Sequence, residues 1–434
     1  GSVNMTTEEL YKKALDIHHR YRGKIQVVSK VPFKEYGDLA IYYTPGVAAV
    51  SGRVRKDKDT VFEYTNRGNT VAIITDGTRV LGLGDIGPEA AMPVMEGKAL
   101  LFKLFGGVDA IPLCLKTKDP DRLAEIVEVL EPSFGGINLE DVSKPKCFQI
   151  TDRLQQSLDI PFWHDDHHGT GLVVLAGLIN SLKVVGKRLK DVKVALGGTG
   201  AAGMAIFRFL MKGGVKGENM VVFNTGGIIY EGRKESMNRW TEEIASETNP
   251  SRITGGLNEA LQDADVLITA TKTGPWIKRD AIKQMAGDAI VFSLANPVPE
   301  ILPEEAKAGG ARIVATGRSD FANQINNVLG FPGTFRGALD VRARKINDQM
   351  VLAAVDALTQ LAEAKGLNEN YILPRANERE VGPKVAAAVA GAAMESGVAR
   401  LSVSCEEVEK NTYQLIDKHQ RIIESIFPTP SLTA

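Results

Sequence analysis

The stretch Val192-Lys193-Val194-Ala195-Leu196-Gly197-Gly198-Thr199-Gly200-Ala201-Ala202-Gly203 decides the fold. The apolar run Val192–Leu196 reads as a buried strand, and a glycine-spaced turn follows it directly. Gly198 allows the tight reversal, Gly200 lets a pyrophosphate approach the backbone, and Gly203 lets the following helix, opened by Ala201 and Ala202, lie close to the sheet. Phosphates then sit on that helix's N-terminus, where free N–H groups and the dipole favour anions. Such a turn alone is a weak signal. Its weight comes from the strand before it and from the strand candidates after it, Met220–Phe223, Val266–Thr269, Ala289–Phe292 and Ile313–Ala315, which are separated by helical segments. Five strands in this rhythm predict a doubly wound Rossmann-type sheet that binds a dinucleotide.

The residue expected at the adenosine ribose stands at the end of the second of these strands, in Val222-Phe223-Asn224-Thr225. An acidic residue there would bond both ribose hydroxyls and repel a 2′-phosphate; Asn224 does neither strongly. Arg233 and Lys234 follow closely. NAD and NADP both stay open as cofactor, with a lean toward tolerance of NADP.

Outward from this core the chain is α/β throughout. Upstream, Thr70–Thr75 and Asp109–Leu115 read as buried parallel strands, with helices at Glu96–Phe105 and Asp121–Leu130. A helix is expected over 6–23, capped by Thr6 or Thr7. An apolar helix over 169–186 leads into the dinucleotide region, and further helices are expected at 341–364, 381–397 and 404–426. The last eight residues read as a frayed tail, and Gly1-Ser2 as an expression remnant. The expected division is an N-terminal α/β domain (1–165), a dinucleotide-binding domain (166–390), and C-terminal helices (391–434) that pack back on the first domain.

With 52 basic and 53 acidic residues the net charge is −1, which argues against a nucleic-acid partner or an anionic membrane surface. No apolar run is read as a membrane span. Cys114, Cys147 and Cys405 are scattered and odd in number, so no disulfide framework is expected and a reducing cytoplasm is the natural setting.

Two carboxylate pairs carry the chemistry. Glu140-Asp141 follows the apolar run Phe134–Leu139, and Asp165-Asp166 follows Ile160–Trp163. Ligands gather beyond the carboxyl ends of strands in α/β sheets, and both pairs fall there. Either pair alone could be solvated turn residues or a helix cap. Brought together, they cannot all stay ionised without a cation, and oxygen ligands suit Mg²⁺ or Mn²⁺. The adjacent His164, His167 and His168 invite a zinc reading, but neighbouring histidines on one turn do not converge easily on one ion. Tyr43 on a Pro-Gly turn, Arg79 in a glycine-rich segment and Lys98 at a helix start are further candidates. Lys98 is expected to be partly buried and shifted toward neutrality. Each has a plain reading as a core tyrosine, a surface arginine and a snorkelling lysine.

Taken together these segments resemble the malic enzymes in their short prokaryotic form. The matching motifs are YTPGVA at 43–48, TDGTRVLGLGDIG at 75–87, EGK at 96–98, LED at 139–141, HDDHHGT at 164–170, the glycine turn at 198–203, SLANP at 293–297 and INNVLGFPG at 325–333. The resemblance implies NAD(P)-dependent, metal-dependent oxidative decarboxylation of malate to pyruvate. It implies Lys98 as general base, Tyr43 as general acid, and Asp165 as the carboxylate tuning the lysine. Glu140, Asp141 and Asp166 would be metal ligands, and Arg79, Asn296 and Asn327 malate-binding groups. It also implies a homodimer or higher homo-oligomer. A metal-free hydroxy-acid dehydrogenase would share the nucleotide fold without needing the carboxylates, and a catalytically inactive nucleotide-binding scaffold would need none of these groups.

Overall fold

The structure is a computed structural model and describes residues 7–426. The expected Thr6 cap, Gly1-Ser2 and the C-terminal tail lie outside the described residues. Ten strands form two sheets. The first contains β1 (Thr70–Thr75), β2 (Asp109–Cys114), β3 (Gly136–Leu139) and β4 (Phe162–His164), all parallel in the order β2-β1-β3-β4. Every residue of β1 and β3 is buried, because helices cover both faces, so these strands read as continuous rather than alternating apolar runs.

The second sheet contains β5 (Val194–Gly197), β6 (Met220–Asn224), β7 (Gly227–Ile228), β8 (Val266–Thr269), β9 (Ala289–Ser293) and β10 (Ala311–Thr316), in the order β10-β9-β8-β5-β6-β7. All pairings are parallel except β6 with β7. The direction of winding reverses between β5 and β8, where open α/β sheets bind ligands. The five expected strands are present. β7 went unread because two residues behind a turn carry no periodicity.

The helix Thr170–Val185 links the sheets. Although residues 165–185 are long and apolar enough to cross a membrane, 72% of the apolar window is buried inside the protein. Its Gly171 and Gly213 of the next helix, Ala201–Gly213, lie against Phe209 and Leu175, where a Cβ would fall 2.1 and 2.5 Å from side-chain carbons. The helix expected at Glu96–Phe105 runs Gly87–Gly106; Pro88 sits in its first turn and Gly107 ends it in a left-handed conformation. The expected 341–364 helix is corrected to Asp348–Lys365, with Asn347 as its cap accepting from Met350 N at 3.0 Å. A separate helix, Phe331–Asp340, precedes it. That helix packs Phe331 and Phe335 against Phe102, with ring centroids 4.7 and 5.3 Å apart, and so rests on the first sheet's layer. The last helix, Cys405–Ile426, lies on the same layer, with Leu415 against Gly107.

Candidate active site

Leu139 of β3 pairs with His164 of β4, so Glu140-Asp141 and Asp165-Asp166 leave the sheet side by side at its carboxyl edge. Two backbone bonds tie the Glu140-Asp141 pair to β1 and its loop. Glu140 N donates to Ile74 O at 2.8 Å, and Arg79 N to Asp141 O at 3.1 Å. Asp141 holds a left-handed backbone (φ 53°), a conformation Asp tolerates better than most residues. Asp165 to Gly169 form a single π-helical turn. Such turns recur at functional sites because they re-aim side chains that a regular helix would space differently.

Three donors converge on buried Asp165: Lys98 Nζ at 2.6 Å, Asn327 Nδ2 at 2.9 Å and Trp163 Nε1 at 3.0 Å. Burial alone would raise its pKa, but Lys98 and the other donors overcome it and the net shift is downward. Lys98 Nζ also lies 3.3 Å from Glu140 Oε2 and 4.1 Å from the centre of the Phe331 ring. The expected shift of Lys98 toward neutrality is corrected here. Burial pulls in that direction, yet Asp165 and Glu140 outweigh it and the ammonium is held protonated.

The other carboxyls behave oppositely. Burial raises Glu140 well above its ordinary range, despite Lys98 and with Asp165, Asp141 and Asp166 adding repulsion. Asp141 rises to about 8, through burial and then Asp166. Asp166 is raised by burial and by Asp165. Fully ionised, the cluster would hold more negative charge than Lys98 can balance, so without a cation these carboxyls tend to keep their protons.

The neighbouring histidines are uncharged. Burial is the largest cause, lowering His164 to about 4 and His168 to about 3, with His167 well below 6.5. They serve one another: His168 Nδ1 accepts from His164 N at 3.1 Å, and His164 Nδ1 lies 3.2 Å from Thr151 Oγ1. Among the described residues no three His, Cys, Asp or Glu side chains stand at ligand spacing around one point.

The glycine turn has the geometry its sequence implies. Gly198 has φ +107° and lies against Ala270 O, where a Cβ would sit 2.5 Å away. A Cβ on Gly203 would fall 2.1 Å from Gly198 O. At Gly200 the space is open, and the nearest atoms are two cations from the other sheet's loops, Arg79 Nη1 at 3.8 Å and Lys144 Nζ at 3.9 Å from the Cβ position. No side chain caps the helix that starts at Ala201, followed by Ala202. Asn296 is exposed on the loop after β9, and that loop meets the β1 loop where Gly82 faces Pro297 Cδ at 3.3 Å. Asn327 donates its amide N–H to Asp165 and so orients a carboxylate. Tyr43 is not brought to the cluster within this chain. It is 70% exposed, and its side chain makes no hydrogen bond to the carboxylates.

Asn224 closes β6 as expected. Its Oδ1 accepts from Gly226 N at 2.9 Å and from Arg233 Nη2 at 3.1 Å. The loop after β6 thus folds Arg233 back onto Asn224, where its Nη1 also bonds Gly227 O and Ile228 O.

The family model for the malic enzyme N-terminal domain matches residues 22–155, and that for the malic enzyme NAD-binding domain matches 168–394. The chain belongs to the malic enzyme family. It is 51% identical over 378 residues to the NAD-dependent malic enzyme of Geobacillus stearothermophilus, covering 87% of this chain and 78% of that one. It is 43% identical over 439 residues to the NADP-dependent malic enzyme of Haemophilus influenzae, covering 97% of this chain and 57% of that longer one. The malic enzyme crystal structure from Pyrococcus horikoshii superposes with a TM-score of 0.92 at 51% identity, over 96% of this chain and 98% of that one. Relatives of both cofactor types therefore flank this malic enzyme.

Two groups at the malic enzyme site escaped the sequence reading. Asn138 Nδ2 donates to Glu140 Oε2 at 2.9 Å. Glu300 is fully buried with no cation at ion-pair distance among the described residues, and accepts from Thr271 N (2.8 Å), Thr271 Oγ1 (2.9 Å), Ser293 Oγ (2.9 Å) and Ala295 N (3.0 Å). It ties the ends of β8 and β9 and so fixes the loop bearing Asn296. The signal available was an acid inside an otherwise apolar strand-end segment, SLANPVPE.

Proposed function

We propose that the chain oxidises (S)-malate to pyruvate and CO₂ with reduction of NAD or NADP. The observation that carries this reading is Lys98 clasped between Asp165 and Glu140, at a sheet edge whose loops reach over the dinucleotide turn. In the reaction, Lys98 is the general base that takes the C2 hydroxyl proton as the hydride leaves, and Asp165 sets its proton affinity. Tyr43 is the general acid that returns a proton to C3. Arg79 and Asn296 hold substrate carboxylates, a task suited to a guanidinium fork and a turn amide. Asn327 binds malate while steadying Asp165.

The all-oxygen donor set Glu140, Asp141 and Asp166, with its surplus negative charge, fits Mg²⁺ or Mn²⁺ once those side chains turn toward a common point. A divalent cation held there supplies Lewis acidity toward the substrate's oxygens and cancels the charge that keeps Lys98 protonated. Glycines 198, 200 and 203, with Ala201, Ala202 and Asn224, hold the dinucleotide. Arg233 beside Asn224 favours NADP.

Residues 1–165 form the malate and metal domain, 166–390 the dinucleotide domain and 391–434 the C-terminal helices; the spans of the two family models support this division. The working unit is a homodimer or higher homo-oligomer. Its support is the N-terminal region, where Val27 (93%), Tyr36 (84%), Leu15 (75%) and Ile41 (68%) are exposed, more than scattered surface residues account for. Tyr43 lies in that region, so the partner copy can bring it to the cluster. Three free cysteines suit a cytoplasmic setting.

Initial rates with malate, Mn²⁺ and NAD or NADP in parallel test the reaction, with a chelator arm and the Asp166→Ala variant. Turnover that survives both chelator and Asp166→Ala would sink the metal assignment. Sedimentation tests the assembly: an active monomer at micromolar concentration would contradict it.

A further inference from the structure

Lys144 has no role in the reaction as derived so far. It stands on the loop between β3 and the helix Lys146–Ser157, on the first sheet's side of the cleft. Its Nζ nevertheless lies 3.9 Å from the point over Gly200 where a Cβ would be, beside Arg79 Nη1 at 3.8 Å from the same point. Among the described residues no acid lies within ion-pair distance of either head group, although thirty ion pairs occur elsewhere in the structure. Partial burial and, after it, repulsion from Arg79 lower the pKa of Lys144, whereas Arg79 is balanced at longer range by Asp141 and Asp166. Gly200 is the one glycine of the turn with open space above it, and the helix behind it has no side-chain cap. An anion at that point would satisfy Lys144 and the helix N–H groups together.

We infer that Lys144 is a cofactor-binding residue which holds a phosphate of the dinucleotide against the Gly200 turn from the opposite side of the cleft, beside the Arg79 that binds the substrate carboxylate. This rests on the dinucleotide binding at that turn. Lys144 belongs to the first sheet's loops, so cofactor binding draws the substrate side and the dinucleotide side together. The contact is made equally in ground and transition states, so it appears in cofactor affinity and KM and leaves kcat nearly unchanged.

The test is titration of the full chain with NADPH, followed by nicotinamide fluorescence, without malate and at low and high salt. Wild type, Lys144→Gln and Lys144→Arg are compared. Lys144→Gln should weaken binding roughly tenfold, the lower range of a charge-assisted hydrogen bond, and should flatten the salt dependence. Lys144→Arg should restore most of both. Wild-type affinity in Lys144→Gln with an unchanged salt slope would overturn the proposal. So would a Lys144→Arg enzyme as weak as Lys144→Gln, or unchanged NADPH affinity with a raised KM for malate, which would place Lys144 on the substrate carboxylate. A wild type that binds neither NADPH nor NADH would instead defeat the dinucleotide reading itself.

Discussion

Asn224→Asp isolates the feature that sets cofactor choice. The amide oxygen of Asn224 already accepts from Gly226 N at 2.9 Å and Arg233 Nη2 at 3.1 Å. A carboxylate oxygen can accept the same two bonds, so the turn after β6 should survive with little loss of stability. The change adds one negative charge at the ribose end of the site. It repels a 2′-phosphate directly and pairs with Arg233, which is 8% exposed and has no acid within ion-pair distance among the described residues. Two unit charges 4 Å apart interact by about 1 kcal/mol in water and about 4 kcal/mol at the effective dielectric of a protein surface. That corresponds to roughly fivefold to several hundredfold in relative kcat/KM. Wild type should accept NADP, and Asn224→Asp should move the NADP-to-NAD ratio toward NAD within that range. The assay is steady-state kcat/KM for both dinucleotides at saturating malate and Mn²⁺, repeated at higher salt. A ratio that stays within about twofold of wild type, far below the Coulomb range, would show that Asn224 and Arg233 do not read the 2′ position. Arg233→Gln is a poorer probe, because Arg233 Nη1 also holds Gly227 O and Ile228 O and its removal loosens β7.

Three further outcomes follow from the site. Asp141 keeps its proton up to a pH of about 8, so Mg²⁺ or Mn²⁺ binding should release a proton and tighten as pH rises toward that value; calorimetry in buffers of different ionisation enthalpy would show proton release, and its absence would count against Asp141 as a ligand. His168 falls from 6.5 to about 3 in the fold, so the unfolded chain binds the proton first as pH drops. Stability is thus lost between about pH 6.5 and 3, at about 1.4 kcal/mol per unit for this group, and denaturant melts of His168→Gln should show a shallower acid decline than wild type. Lys98→Ala should abolish hydride transfer, whereas Tyr43→Phe should lose roughly 10²–10⁴-fold in pyruvate formation yet still reduce oxaloacetate, a step needing no protonation at C3; full activity in both variants would refute the acid–base assignment.

The dinucleotide half was legible because local chemistry settles it. Gly198 and Gly203 face carbonyl oxygens that any Cβ would strike, so sequence and geometry constrain each other within six residues. The strands were legible for a similar reason: β1 and β8 are apolar runs buried along their whole length, and the residues that read as strand are the residues that pair. Elements set by distant contacts were not legible. The helix Phe331–Asp340 packs on Phe102 from far away in sequence, and it went unread although Phe331, Phe335, Ala338 and Leu339 recur at helical spacing. β7 exists because Arg233 reaches back across its loop. Glu300 drew no reading, because only the fold surrounds it with four donors from two strand ends.

Lys98 shows where sequence reasoning misjudges even a residue it finds. A lysine early in an apolar helix suggests desolvation, and desolvation is indeed the largest influence on it. What reverses the sign is the pairing of β3 with β4, which delivers Glu140 and Asp165 to its ammonium from segments far apart in sequence. The same pairing crowds Asp141 and Asp166 beside them, so that the ionised cluster would carry more negative charge than one lysine can balance. Lys98 can act as a base only when that surplus is cancelled, so its proton affinity is tied to the occupancy of the carboxylates around it. Base and cation site are therefore one electrostatic unit. Removing a charge at Asp166, which makes no hydrogen bond to Lys98, should still shift the pH profile of the Lys98 step, and independent pH profiles for the two positions would break this coupling.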